Sequence, residues 1–253
     1  MNDVWRMEKP EDQGIDSRKL AKALSFLEEC CGPDGTRETV LVRNGAVVWT
    51  GDKPDSLHQV YSCTKSFTST VLGLLVADGK CDLDTPAADI LPRLAEKYPG
   101  LTLRHLVTMT SGYNAVGKTY DEDGSLDFTV PADPLFAPGT MYCYWDDPTN
   151  LLGHLLAMIA GRSMEEIFRE RIADPIGMTR WAWGSFDPRD GLSCNGGSGN
   201  HSKGVSVTPS DMARFGLLHL RGGRWGDRRL LDPAWVAAAT TVQVPVAPSI
   251  TGR

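Results

Sequence analysis

The feature that most constrains this fold is a strongly apolar helix that begins with a serine and a lysine. The segment YSCTKSFTSTVLGLLVADG predicts a helix over residues 62–77. Its apolar residues are Phe67, Val71, Leu72, Leu74, Leu75 and Val76. They occur on most sides of the helix, a pattern typical of a helix in the protein interior. Other elements of the chain must therefore cover this helix.

Ser62 and Lys65 are three residues apart, so on a helix they lie on one face, one turn from each other. Backbone N–H groups and the helix dipole favour negative charge at a helix N-terminus, including that of a serine alkoxide. The same field, together with burial, favours a free lysine amine that can take the serine proton. The pair is therefore a candidate nucleophile and base for acyl transfer. The alternative is a capping serine followed by a solvated lysine.

A second motif is APGTMYCYWD at residues 137–146, which precedes an apolar helix predicted from about residue 150 to residue 160. Its Pro-Gly pair predicts a turn. A tyrosine beside a lysine amine can carry protons as phenol or phenolate. The alternative is that the aromatic residues, including Tyr142 and Tyr144, only pack against the core.

With these two motifs in this order, the chain resembles the penicillin-recognising serine hydrolases. This family includes class C β-lactamases, D-alanyl-D-alanine peptidases, family VIII-type esterases and 6-aminohexanoate-dimer hydrolases. The resemblance is collinear along most of the chain, through residues 61–67 (YSCTKSF), 83–92 (LDTPAADILP), 103–112 (LRHLVTMTSG), 137–146, 174–178 (DPIGM), 208–216 (TPSDMARFG) and 230–236 (LLDPAWV). Segments 142–146 and 195–201 look closer to the nylon-hydrolase and esterase branch.

The resemblance implies roles for individual residues. Ser62 is implied as the acylated nucleophile, Lys65 as its general base, and Tyr144 as the tyrosine of the family's Tyr-x-Asn element. Asp146 stands where many relatives have an asparagine that holds the substrate amide. We expect Asp146 to contact the substrate, and an aspartate there repels an anionic substrate or pairs with a cationic one. His201, in a glycine-rich loop that relatives place near the mouth of the site, is a second expected substrate contact.

The family's third motif is a strand with Lys-Thr-Gly or a His/Gly-rich equivalent, and this sequence has no such motif. Ser202-Lys203-Gly204 has the letters in another order and precedes residues 208–216, so we interpret Lys203 as a loop lysine. We therefore expect the C-terminal strands to be missing and the helix at 62–77 to lose much of its cover. The alternative to a hydrolase is a non-catalytic truncated homologue or pseudoenzyme that binds a ligand or partner.

The fold class implied by the resemblance is α/β (α+β), the β-lactamase/transpeptidase-like fold, with an antiparallel sheet flanked by helices. Residues 1–77 and 205–253 are expected to form a discontinuous α/β domain, and residues 78–204 a mainly helical inserted domain. Local signals support particular elements. Alternating apolar residues around Asn44-Gly45 predict a hairpin at 39–50, and capping residues predict helices that start near 17 and 209.

Charge and composition exclude several classes of function. A net charge of −6 argues against nucleic acid or an anionic membrane as partners. The N-terminus has no apolar signal core, so we expect a cytoplasmic location. The six cysteines form no Cys-x-x-Cys and no His-Glu-x-x-His is present, so neither a disulfide framework nor a zinc site is implied. We expect no cofactor and a small-molecule ester or amide substrate, with the oligomeric state open.

Overall fold

The computed structural model describes residues 5–116, 127–185, 192, 195–197, 204–244 and 248–251. In these residues the α-helices are α1 (Ser17–Cys31), α2 (Pro33–Arg37), α3 (Thr64–Ala77), α4 (Ala87–Ile90), α5 (Leu103–Val107), α6 (Asp146–Ala160), α7 (Met164–Phe168), α8 (Asp174–Ile176), α9 (Pro209–Leu220) and α10 (Pro233–Ala239). The strands are β1 (Arg6–Met7), β2 (Val40–Arg43), β3 (Ala46–Thr50), β4 (His58–Gln59), β5 (Tyr142–Tyr144), β6 (Trp181–Trp183), β7 (Val205–Val207), β8 (Arg224–Trp225), β9 (Arg228–Arg229) and β10 (Ser249–Thr251).

Residue contacts divide the chain into two compact units. The first contains Met1–His58, Ile172–Trp181 and Val207–Leu230, and the second contains Gln59–Arg171, Ala182–Ser206 and Leu231–Arg253. This division groups α3 with the mainly helical region, whereas the sequence prediction placed residues up to 77 with the hairpin. The predicted domain boundaries therefore stay a prediction.

The first unit contains the predicted hairpin. Strands β2 and β3 are antiparallel, and β1 pairs with β3 in parallel. Asn44 and Gly45 have φ angles of 52° and 85°, and a two-residue type I′ turn requires positive φ at both positions. A Cβ at Gly45 would also lie 1.8 Å from Arg221 Nη2, so a side chain there would require that guanidinium to move. The hairpin predicted at residues 39–50 is confirmed.

Helices α1 and α9 begin where their capping residues predict. The Asp16 carboxylate accepts hydrogen bonds from two backbone N–H groups of the first turn of α1, at 2.8 and 3.1 Å. The Thr208 hydroxyl accepts one from the Asp211 N–H at 3.2 Å. Such caps each contribute about 1 kcal/mol. Both predicted helix starts are confirmed.

Helix α3 runs through the core of the second unit. Phe67, Val71 and Leu72 are each 0% exposed, and α6 and α7 pack against the helix. Helix α10 also covers it, at a point where Gly73 leaves room for the indole of Trp235. Fully burying one such apolar side chain stabilises a fold by about 1.5–3 kcal/mol. The expectation that this helix loses much of its cover is wrong, because three other helices supply it.

The remaining strands of the second unit are short. Strand β5 pairs in parallel with β10, with Thr251 opposite Tyr144, and the parts of β4, β7 and β6 that lie in this unit belong to a three-stranded sheet with that strand order. Among the helices of the described residues, none has both the length and the apolar character needed to cross a membrane.

Candidate active site

Ser62 lies in a short 3-10 turn, Tyr61–Cys63, that leads directly into α3. The helix itself begins at Thr64, two residues later than the sequence predicts. Tyr61 has a φ angle of 44°, and a bulky residue in this region costs about 1–3 kcal/mol that the surrounding structure must offset. The turn is held on both sides, because the Val60 N–H donates to Val205 O at 3.0 Å and the Cys63 N–H donates to Val60 O at 3.0 Å.

Thr64 anchors the first turn of α3. Its side chain is fully buried, and its hydroxyl accepts a hydrogen bond from the Val205 N–H at 2.9 Å. The hydroxyl therefore fixes the start of the helix against β7. The partly exposed Ser62 side chain is consequently displayed on a turn whose backbone is held at both ends.

Lys65 connects the nucleophile candidate to α6. Its Nζ donates to Ser62 Oγ at 3.2 Å and to Asp146 Oδ1 at 2.5 Å. The side chains of Lys65 and Asp146 are 14% and 13% exposed, so water screens this ion pair only weakly. Asp146 was predicted as a substrate contact, and the structure places its carboxylate against Lys65. Its role toward a substrate stays a prediction.

Tyr144 ends strand β5 and contributes its ring to the same cluster. The Lys65 Nζ lies 4.9 Å from the ring centroid, a cation–π distance, and the Tyr144 side chain is about half exposed. Strand β5 is fixed on both edges, by the Cys143 N–H donating to Met109 O at 2.9 Å and the Tyr142 N–H donating to Pro248 O at 2.8 Å. Among the described residues, Tyr144 Oη makes no hydrogen bond to Lys65 or Ser62.

Asp147, which the sequence interpretation overlooked, lies beside this cluster in the first turn of α6. It is 4% exposed. Burial raises its pKa to about 6, the Trp145 side chain acts to lower this pKa, and the neighbouring Asp146 charge acts to raise it. The only signal in the sequence was a pair of adjacent aspartates at a helix start. A carboxyl group that gains or loses its proton near neutral pH thus lies one residue from the Lys65 partner.

Part of the glycine-rich segment packs between the two helices that carry the candidate site. Asn195, Gly196 and Gly197 are buried between α3 and α6. His201 and Lys203 lie outside the described residues, so the predicted substrate contact of His201 stays a prediction. In the described part of the chain, no group of three or more His, Cys, Asp or Glu side chains is arranged to hold a metal ion.

Comparisons with known proteins show which family the chain resembles and what fold it has. The family model described as Beta-lactamase matches residues 38–248. A β-lactamase of Pseudomonas fluorescens is 30% identical over 128 residues, which cover 49% of this chain and 36% of that protein. The 6-aminohexanoate-dimer hydrolase of Paenarthrobacter ureafaciens is 26% identical over 239 residues, or 83% of this chain and 57% of that protein.

The solved structure of a penicillin-binding protein homologue from Pyrococcus abyssi superposes with a TM-score of 0.66 at 18% identity, covering 91% of this chain and 62% of that one. A likeness at this identity shows the fold, and it is the fold class that the sequence predicted. The chain spans from about a third to somewhat over half of the length of the two curated relatives above. Because the family model matches well over half of its residues, the chain belongs to the β-lactamase family of serine hydrolases.

Proposed function

We propose that this chain cleaves an ester or amide bond through an acyl-enzyme on Ser62. The observation that carries the proposal is the 3.2 Å contact between Ser62 Oγ and Lys65 Nζ on a strained turn at the start of a buried helix. The names of relatives support the reaction class, since they include β-lactamase, 6-aminohexanoate-dimer hydrolase and esterase/β-lactamase.

The proposed reaction has two stages. The first stage needs Lys65 as the free amine, which it becomes when its ammonium group passes a proton to the Asp146 carboxylate 2.5 Å away. Ser62 Oγ then bonds to the substrate carbonyl carbon while its proton passes to Lys65 Nζ. Collapse of the tetrahedral intermediate breaks the bond to the leaving group, which takes a proton from Lys65 or from the Tyr144 phenol. In the second stage, water attacks the acyl-enzyme, gives up a proton to the same pair, and releases the acid and free Ser62.

The charges around Lys65 favour a neutral or cationic substrate. Asp146 compensates the Lys65 ammonium at 2.5 Å, so this lysine offers little attraction to a substrate carboxylate. A second acid, Asp147, follows directly in the same helical turn. An anionic substrate would therefore meet the Asp146 carboxylate and a lysine whose charge is already paired, with the buried Asp147 one residue further along the helix.

A fluorophosphonate tests the proposal, because it phosphonylates only an activated serine. We expect a single adduct at Ser62 by mass spectrometry, and none in Ser62→Ala. Ser66→Ala is the matched control, because Ser66 is an exposed serine on the same helix, and it should label like the wild type. An adduct elsewhere would refute the assignment.

A second experiment tests the charge argument. Faster turnover of a carboxylate-bearing p-nitrophenyl ester than of p-nitrophenyl acetate would contradict it.

One observation favours the alternative, a non-catalytic homologue that binds a ligand. Lys65 donates to the Asp146 carboxylate at 2.5 Å, a contact that stabilises an ammonium group and not the free amine that a base requires. If this alternative holds, the fluorophosphonate leaves Ser62 unmodified in the folded protein.

A further inference from the structure

A single peptide unit joins the two helices that carry the candidate site. Thr68 on α3 donates from its hydroxyl to Gly196 O at 2.8 Å. The N–H of the same peptide unit, on Gly197, donates to Asn150 Oδ1 on α6 at 2.8 Å. We call this arrangement the peptide bridge. It uses both polar groups of one peptide unit, one toward each helix.

The peptide bridge lies one helical turn from the Lys65–Asp146 ion pair. Thr68 follows Lys65 by three residues on α3, and Asn150 follows Asp146 by four residues on α6. Residues at these spacings are neighbours on one helix face. The ion pair and the peptide bridge are thus two successive connections between the same two helices.

The bridge is buried and closely fitted. Thr68 and Asn150 are 1% and 0% exposed, so a hydrogen bond lost here is not replaced by bulk water and costs more than a surface bond. A Cβ on Gly196 would lie 2.2 Å from Thr149 O, and a Cβ on Gly197 would lie 3.0 Å from Asn150 Oδ1. A side chain at position 196 therefore requires the α6 backbone to shift, and one at position 197 requires the side chains around it to give way slightly.

The bridging peptide is also held from outside the two helices. The Trp183 indole N–H donates to Asn195 O at 2.7 Å, and the Asn195 N–H donates to Gly184 O at 2.9 Å. The Asn195 side-chain oxygen shares the Gly197 N–H at 3.0 Å. The position of the peptide is therefore set by the end of β6, and the helices are held against it.

We infer that Thr68 and Asn150 are positioning residues, which set the spacing of α3 and α6 at which Lys65 meets Asp146 and Ser62. The inference rests on the proposed function for its catalytic consequence. Loss of the bridge moves Asp146 relative to Lys65, and the lysine amine that Asp146 holds moves with it relative to Ser62 Oγ. Displacements of about 1 Å cost about 100-fold in reactions that depend on orientation. Neither residue contacts the reacting atoms, so both act through Lys65.

The test compares Thr68→Val, which removes the hydroxyl and keeps the shape, with Thr68→Ser, which keeps the hydroxyl. We expect Thr68→Val to slow fluorophosphonate labelling of Ser62 by about 10-fold or more, with Thr68→Ser within about 2-fold of wild type. In an Asp146→Asn background the effect of Thr68→Val should largely disappear, because residues that act through one contact are not additive. Equal effects in both backgrounds would overturn the inference.

Two further measurements cover the other outcomes. If wild-type Ser62 does not label, the proposed function fails, and the inference is judged by urea unfolding of Thr68→Val, Asp146→Asn and the double variant. Additive changes in unfolding free energy would then refute it, and coupling would support it. If Thr68→Val does not fold, Gly196→Ala replaces it, since a Cβ there would lie 2.2 Å from Thr149 O and must shift the peptide or the α6 backbone. Wild-type labelling by folded Gly196→Ala would overturn the inference.

Discussion

Lys65 contacts two residues that require different protonation states of its side chain. Taking the proton of Ser62 needs an amine, whereas the Asp146 carboxylate stabilises an ammonium group. The contact with Ser62 Oγ is 3.2 Å long and the contact with Asp146 Oδ1 is 2.5 Å long. A neutral asparagine in place of Asp146 would not compensate the lysine charge. At the scale of single residues, this aspartate determines the charge beside the candidate base.

If Lys65 and Tyr144 share the proton transfers, removal of either group should reduce turnover strongly. We expect Lys65→Ala and Tyr144→Phe each to lower the turnover of p-nitrophenyl acetate by about 10²–10⁴-fold, the usual range for general acid–base catalysis. The losses should not add in the double variant, because residues that act as a unit are non-additive. Tyr142→Phe, the same change on the same strand, is the control. Near-normal turnover in both single variants would show that the assignment is wrong.

At the scale of elements, turn and capping residues predict the hairpin and two helix starts, but they do not predict the contacts between elements. The Asn44-Gly45 turn and the caps Asp16 and Thr208 act within a few residues, so the sequence alone predicts their elements. The positive φ of Tyr61 depends on contacts of the turn with β7, and no residue type in the segment indicates it. The prediction therefore placed the start of α3 two residues early.

Replacement by alanine should have opposite effects on protein stability at two helix glycines. A Cβ at Gly73 on α3 would lie 2.4 Å from the Trp235 indole, whereas a Cβ at the exposed Gly216 on α9 meets nothing within 4 Å. Gly73→Ala should destabilise the protein by about 1–3 kcal/mol through overpacking. Gly216→Ala should stabilise it by about 0.5–1 kcal/mol through helix propensity. Chemical unfolding of both variants checks this, and a stabilised Gly73→Ala would contradict the packing of α10 on α3.

At the scale of the whole molecule, the sequence points to the candidate reactive residues but not to the residues that hold them in place. Ser62 and Lys65 lie on one short segment, and their spacing is a local property. Lys65 and Asp146 are 81 positions apart, and Asn150 and Gly197 are 47 positions apart. No periodicity or capping rule relates residues at such distances. Only the tertiary fold reveals that Asp146 pairs with Lys65 and that the glycines bridge two helices.

Ionisation of the buried Asp147 should make the free energy of unfolding depend on pH. Burial raises its pKa from 3.8 to about 6 in the folded protein, so between these pH values the folded state binds more protons than the unfolded state. The free energy of unfolding then falls as pH rises through this window. Complete ionisation of this buried group costs on the order of 2–3 kcal/mol by this linkage.

Asp147→Asn removes the ionisation while keeping the size of the side chain. At pH 4 we expect the variant and the wild type to differ least, because protonated Asp147 and asparagine are both neutral. As the pH rises to 7, the wild type loses stability through ionisation of Asp147, so the variant should become more stable than the wild type. Urea unfolding at several pH values measures the difference. Asp89→Asn, at an exposed acid on α4, is the matched control and should show a nearly constant difference. An Asp147→Asn variant that is less stable at pH 7 than at pH 4, relative to wild type, would mean that the carboxylate has a stabilising partner in the folded protein.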